Sequence, residues 1–326
     1  MQAGGMRIPI IIDTDPGQDD ALAILLALSA GLALDIAGIT TVAGNVGVAQ
    51  TTVNALRVCQ LAGRPDVPVH AGCAQPILRP LHTAEFMCGA DGLAGMDIPA
   101  PRRPAQPSHA VPFLIDCIRG SGSGMTICAL GPLTNIALAL LQAPDIKDRI
   151  ERLVIMGGAR DLGNMTAAAE FNFFVDPHAA AVVFNAGLPI TLFPLNATYQ
   201  AVATPARLAS FAAKGPVGTA ILSMLRRERP GGAALGGDGG HPMHDACVIA
   251  YLLWPTLFEG RDCHVTIETA EGPTVGRSTI DWWGRGGQPA NAHVVGSLDA
   301  DAMFARIAAS VRVLDEMVHE RSKALT

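Results

Sequence analysis

Ile10-Ile11-Ile12-Asp13-Thr14-Asp15-Pro16-Gly17-Gln18-Asp19-Asp20 sets a β-branched apolar run directly before four acids. An apolar run without alternation is the pattern of a strand covered on both faces. Pro16-Gly17 ends it, and the apolar stretch Ala21 to Leu34 reads as a buried helix whose first turn holds Asp19 and Asp20. Four carboxylates so close together repel one another, and they stay ionised only if a cation or several hydrogen bonds offset the repulsion. Oxygen-only donors favour a hard ion, Ca²⁺ or Mg²⁺, over zinc. Helix capping would account for Asp19 and Asp20 but leaves Asp13 and Asp15 without a task.

Outward from this stretch, short apolar runs alternate with helical patterns. Ile36 to Thr41 precedes Val48 to Ala62, and Val67 to Ala71 follows; Val111 to Arg119 precedes Met125 to Ala129. Thr134 to Gln142, Leu153 to Met156, Pro177 to Asn185 and Ile190 to Leu195 continue the series. The alternation predicts an α/β fold: an open, mostly parallel sheet with helices on both faces, Rossmann-like, in a single large domain over residues 1–326. In such sheets ligands bind beyond the carboxyl ends of the strands, and the four acids fall at one of those ends. Residues 1–7 read as an N-terminal tail. The glycine-rich residues 230–240 read as a flexible loop, either plain surface or a lid over a site near His241 and His244.

Of the 326 residues, 49% are hydrophobic and 16% charged, a balance that excludes a disordered chain and a coiled coil. A net charge of −6 without a block of Lys or Arg offers no footprint for nucleic acid or an anionic membrane surface. The uncharged stretch Gly120 to Pro144 is broken by glycines, serines and Gly131-Pro132, so no membrane span is expected there. Between Arg7 and Asp13 the apolar run is too short for a signal-peptide core. The seven cysteines are scattered and never form a C-x-x-C pair, which fits buried thiols in a reducing compartment. A cytoplasmic location is expected.

The run Asp13 to Asp20 resembles the D-x-D-P-G-x-D-D signature of the nucleoside hydrolases of the inosine-uridine type. Further matches follow in that family's order: Ile39-Thr40-Thr41-Val42-Ala43-Gly44-Asn45, Leu130-Gly131-Pro132-Leu133-Thr134-Asn135 and Met156-Gly157-Gly158. Asn164, Ala169-Glu170-Phe171-Asn172, Asp176-Pro177 and His244-Asp245 complete them. The resemblance implies a Ca²⁺-dependent hydrolase that splits a ribonucleoside, a small molecule rather than a polymer, into nucleobase and ribose. It implies Asp15 as the base that deprotonates an ion-bound water, and Asp15, Asp20, Asp245 and the Leu130 carbonyl as calcium ligands. Asp19, Asn45, Asn164, Glu170 and Asn172 match residues that hold ribose hydroxyls, Met156 one that lines the sugar pocket, and His244 one that helps the base depart. Relatives of this kind are commonly dimers or tetramers, so a homodimer or homotetramer is expected. The division of labour suits the reaction, which builds positive charge on the ribose and negative charge on the base.

Two departures from the family pattern bear on the nucleobase. Cys88 stands where the best-known members carry histidine, and it is either an apolar filler or a weak ligand contact. Tyr199 and Tyr251 are the only tyrosines, so the helix before His244 lacks the tyrosines that some members place over the base; Met224, Arg226, Arg227 and Arg229 stand there instead. His241 is a loop residue or a second base contact. Trp282 and Trp283 read as a structural or subunit-contact pair rather than a stacking platform. Two other functions compete: a Mg²⁺-dependent aspartyl-phosphate hydrolase and a non-catalytic binder of ribose or calcium. The first needs Thr or Val where Gly17 stands. Catalysis on inosine separates the leading reading from both.

Overall fold

A computed structural model describes residues 7–93, 96–122, 124–209, 211, 215–225 and 240–324. The strands are β1 (Ile8–Thr14), β2 (Leu34–Thr41), β3 (Val69–Ala71), β4 (Met125–Ala129), β5 (Ile150–Met156), β6 (Ile190–Phe193), β7 (Val202–Ala203), β8 (His241–Pro242), β9 (Phe258–Cys263), β10 (Val265–Ile267), β11 (Ser278–Ile280) and β12 (Ala292–Leu298). The helices are α1 (Gln18–Ser29), α2 (Val48–Leu61), α3 (Glu85–Cys88), α4 (Ala110–Gly120), α5 (Thr134–Gln142), α6 (Phe171–Val175), α7 (Pro177–Phe184), α8 (Leu195–Thr198), α9 (Pro205–Leu208), α10 (Pro216–Leu225), α11 (Ala246–Leu253) and α12 (Ala300–Ala324).

Eight strands form the main sheet in the order β3-β2-β1-β4-β5-β6-β12-β9. Every pairing is parallel except that of β12 with the edge strand β9. The chain steps from β1 outward to β2 and β3, then returns to lay β4 on the other side of β1. Connections leave β1 and β4 in opposite directions, which opens a crevice at their carboxyl ends.

Alternate residues of the apolar strands enter different cores. Ile10, Ile12, Ile39, Val154 and Phe193 pack under α1, α2, α11 and α12, whereas Ile11, Ile127, Leu153, Ile155 and Leu192 pack under α4, α5 and α7. Both faces are thus covered, the physical reason the strands show no polar alternation. Helix α1 is buried from Asp20 to Leu28 because α2, α11 and α12 enclose the sides the sheet leaves open. Each fully buried Leu or Ile there contributes roughly 1.5–3 kcal/mol.

The elements expected from sequence are present, with shifted ends. Strand β1 runs to Thr14, so Asp13 belongs to the strand rather than to the turn. The antiparallel edge strand β9, with four exposed residues in its middle, carries no apolar pattern from which to read it. All seven cysteines are free. Residues 1–6 of the expected tail and 230–239 of the glycine-rich loop lie outside the described residues. Among those described, no helix is long and apolar enough to cross a membrane.

Candidate active site

Beyond Thr14 the chain turns through Asp15-Pro16-Gly17 into α1, and the turn delivers Asp15 to the crevice. Asp15 Oδ2 accepts the Asn45 N–H at 2.6 Å. A Cβ on Gly131 would stand 2.5 Å from its Oδ1, and one on Gly44 would collide with Oδ2. Only glycine therefore lets the loops after β2 and β4 close on this acid. Asp13 faces inward instead: its Oδ2 accepts the Thr40 hydroxyl at 2.5 Å and the Asn135 amide at 2.8 Å. Those bonds tie β1 to β2 and α5, and burial pushes Asp13 up to about 7.

Asp20 takes over part of the capping work that sequence alone allows it. Its Oδ2 accepts the Gly17 N–H at 3.0 Å and Asn45 Nδ2 at 3.3 Å, and its Oδ1 accepts the Thr14 hydroxyl at 2.6 Å. Carboxylate oxygens of Asp19, Asp20 and Asp245 all lie within 4.8 Å of one another. Burial first, and the Asp19 charge second, push Asp20 up to about 6 and Asp245 well above the usual carboxylate range. Burial and the Asp20 charge do the same to Asp15. A metal ion among these oxygens would offset the repulsion. The converging set includes Asp19, which the family resemblance gives to ribose, while Asp15 Oδ2 is engaged by Asn45.

The opposite wall is built from the loops after β4 and β5. Asn172 Nδ2 donates to the carbonyls of Leu130 at 2.8 Å and Met156 at 3.2 Å, linking the two strand ends. The Leu130 oxygen keeps a second lone pair. Glu170 Oε1 accepts the Asn172 N–H at 2.9 Å, and Oε2 accepts those of Gly158 at 2.8 Å and Phe173 at 3.2 Å. It thus caps α6, yet burial still pushes its carboxyl up to about 7. Asn164, at the exposed rim, accepts the Phe171 N–H at 2.9 Å through Oδ1.

A cavity of about 330 Å³ opens over these groups, inside the range of roughly 300–1,000 Å³ typical of small-molecule pockets. Asp15, Asp19, Asn45, Leu130, Met156, Asn164, Glu170, Asn172 and Asp245 line it, with Cys88, His241 and His244. Asp20 stands behind that wall. The Cys88 thiol points back to the Ala84 carbonyl at 3.2 Å, and burial pushes it up to about 12, so it stays protonated at neutral pH. Met224 is buried in the core, and neither Trp282 nor Trp283 reaches the cavity; Arg226, Arg227 and Arg229 lie outside the described residues.

Sequence reading missed Gln18, Phe86 and Tyr199, which also line the cavity. Tyr199 enters from the end of α8 and meets His244 edge-on, ring centroids 5.3 Å apart. It follows closely on β6, so the rule that ligands sit beyond strand ends could have found it. Gln18 lay inside the quoted acidic run, between residues already singled out.

Fold and site together define an α/β enzyme with a small-molecule cavity over a buried acidic centre that could hold a metal ion. The family model described as inosine-uridine preferring nucleoside hydrolase matches residues 10–305. A non-specific ribonucleoside hydrolase, RihC, of Salmonella schwarzengrund is 44% identical over 292 residues, 90% of this chain and 94% of that protein. A pyrimidine-specific ribonucleoside hydrolase, RihA, of Shewanella oneidensis is 42% identical over 301 residues, covering 90% and 93%. The solved structure of a purine-preferring ribonucleoside hydrolase from Gardnerella vaginalis superposes with a TM-score of 0.86 at 30% identity, covering 95% of this chain and 99% of that one. The chain belongs to the inosine-uridine preferring nucleoside hydrolase family, and by that membership is an N-ribosyl hydrolase.

Proposed function

We propose that this protein hydrolyses the N-glycosidic bond of ribonucleosides with Ca²⁺ as cofactor and Asp15 as general base. The observation that carries this reading is the convergence of the Asp19, Asp20 and Asp245 carboxylates beside the cavity that Asp15 lines. Burial first, and neighbouring acids second, raise the proton affinities of Asp15, Asp20 and Asp245, a cost that a bound cation would offset; the donor set is all oxygen, which suits Ca²⁺. Asp15, Asp20, Asp245 and the Leu130 carbonyl would hold the ion. When bound, it neutralises these carboxylates and polarises water beside them.

Asp15 takes a proton from the attacking water, whose oxygen bonds to the anomeric carbon as the glycosidic electron pair leaves with the nucleobase. Asp19, Asn45, Asn164, Glu170 and Asn172 hold the ribose hydroxyls, with Met156 against the sugar. His244, on the cavity wall, hydrogen-bonds the departing base; Cys88 and His241 stand near that end. An analogue without the 2′-hydroxyl leaves buried polar groups unpaired, which costs a site of this kind heavily. The free thiols support a reducing, cytoplasmic setting.

A turnover panel of inosine, adenosine, guanosine, uridine, cytidine and one 2′-deoxynucleoside tests the proposal. Base release from ribonucleosides, abolished by a chelator and restored by Ca²⁺, is expected, with the deoxynucleoside slower by about 100-fold or more. Absence of turnover across the panel in the Ca²⁺-loaded protein defeats it.

A further inference from the structure

We infer that the buried Thr198 hydroxyl is a positioning group for His244: it donates to Nδ1 and so holds the proton of the neutral ring on Nε2. The inference rests on the proposed role of His244 beside the leaving base. Thr198 Oγ1 lies 2.7 Å from His244 Nδ1, and Thr198 has no accessible surface. A buried hydroxyl hydrogen needs an acceptor. Among the described residues, Nδ1 is the hydrogen-bond partner of that hydroxyl, so Nδ1 accepts and the neutral tautomer is fixed as Nε2–H.

The backbone holds the pair in register. Helix α8 hangs from the sheet by Leu195 N–H donating to the Gly158 carbonyl at 2.9 Å, and Thr198 N–H donates to the Pro194 carbonyl at 3.1 Å. Just beyond, β7 pairs antiparallel with β8, Val202 opposite Pro242 and Ala203 opposite His241. Met243 N–H closes that link on the Ala201 carbonyl at 2.8 Å. The segment carrying Thr198 is therefore laced to the segment carrying His244, and the edge of Tyr199 packs against the ring. A neutral imidazole so held offers an N–H, rather than a lone pair, from Nε2.

Thr198→Val removes the hydroxyl at constant shape, and Thr198→Ser keeps it. Ring ¹⁵N spectra in Ca²⁺-containing buffer, with the His244 signals assigned by their loss in His244→Gln, report the tautomer directly. The wild type is expected to show Nε2–H and Thr198→Val a mixture or Nδ1–H. Turnover of a ribonucleoside should fall about 10–100-fold in Thr198→Val, the range for groups that orient a functional side chain. Turnover of p-nitrophenyl riboside, whose leaving group needs no help, should fall far less, and Thr198→Ser should restore both readouts. An Nδ1–H wild type, a tautomer unmoved in Thr198→Val, equal losses on both substrates, or a serine variant no better than the valine one overturns the inference. If the wild type cleaves no nucleoside, the proposed function fails on its own, and the ring spectra still decide what Thr198 does.

Discussion

Asp15 is gripped from two sides by backbone that approaches closely only because residues 44 and 131 lack side chains. Two substitutions separate the charge of this acid from its placement. Asp15→Asn keeps the shape and removes the proposed base, with an expected loss of about 10²–10⁴-fold in turnover at near-native thermal stability. Gly131→Ala keeps the base and displaces it, and a shift of about 1 Å is enough for a loss of order 10²-fold. Initial rates and melting curves check both, and near-wild-type turnover in Asp15→Asn removes it from the role of base. At this scale the sequence was legible wherever residue type announced the chemistry, as in the acids of the first turn. It was opaque where one side chain has a second occupation. Glu170 spends both oxygens on the amides of α6, and Asn172 bridges two carbonyls; spacing carries no signal of either. Nor does spacing tell that Asp19 converges with Asp20 and Asp245.

Elements are joined here by side chains from distant parts of the chain. Asp315, on α12, accepts the N–H groups of Val217 at 2.8 Å and Gly218 at 3.1 Å, capping α10 across space. Asp315→Ala leaves those donors unpaired and removes a negative charge from the helix start, and is expected to cost about 1–2 kcal/mol. Urea unfolding measures it, and an unchanged midpoint would show the cap to be dispensable. Strands buried on both faces were plain from their unbroken apolar runs. Strand β9 was not, because its middle is exposed and its partner β12 follows only after the β10–β11 pair. Tyr199 was hidden for a related reason: the family pattern puts an aromatic on the helix before His244, whereas here the ring arrives from the end of α8.

For the molecule as a whole, buried acids make stability depend on pH and on cation. Burial pushes Asp13 and Glu170 to about 7 and Asp20 to about 6, against ordinary values of 3.8 and 4.5. Between those limits the folded chain keeps protons that the unfolded chain releases, so stability falls as pH rises from about 4 to 7. Chelator-treated protein should therefore show a higher urea midpoint at pH 5 than at pH 7.5, and Ca²⁺ should narrow the gap by favouring the ionised carboxylates. A midpoint that rises over the same window contradicts the assignment.

Asp245 lies far downstream of the acids of the first turn, in the last third of the polypeptide. During synthesis the N-terminal strand and its four carboxylates leave the ribosome long before their last companion is translated. Until the C-terminal portion docks, the nascent chain carries a cluster of acids without its last member, so an ion that needs the complete set would bind late, once the fold is finished.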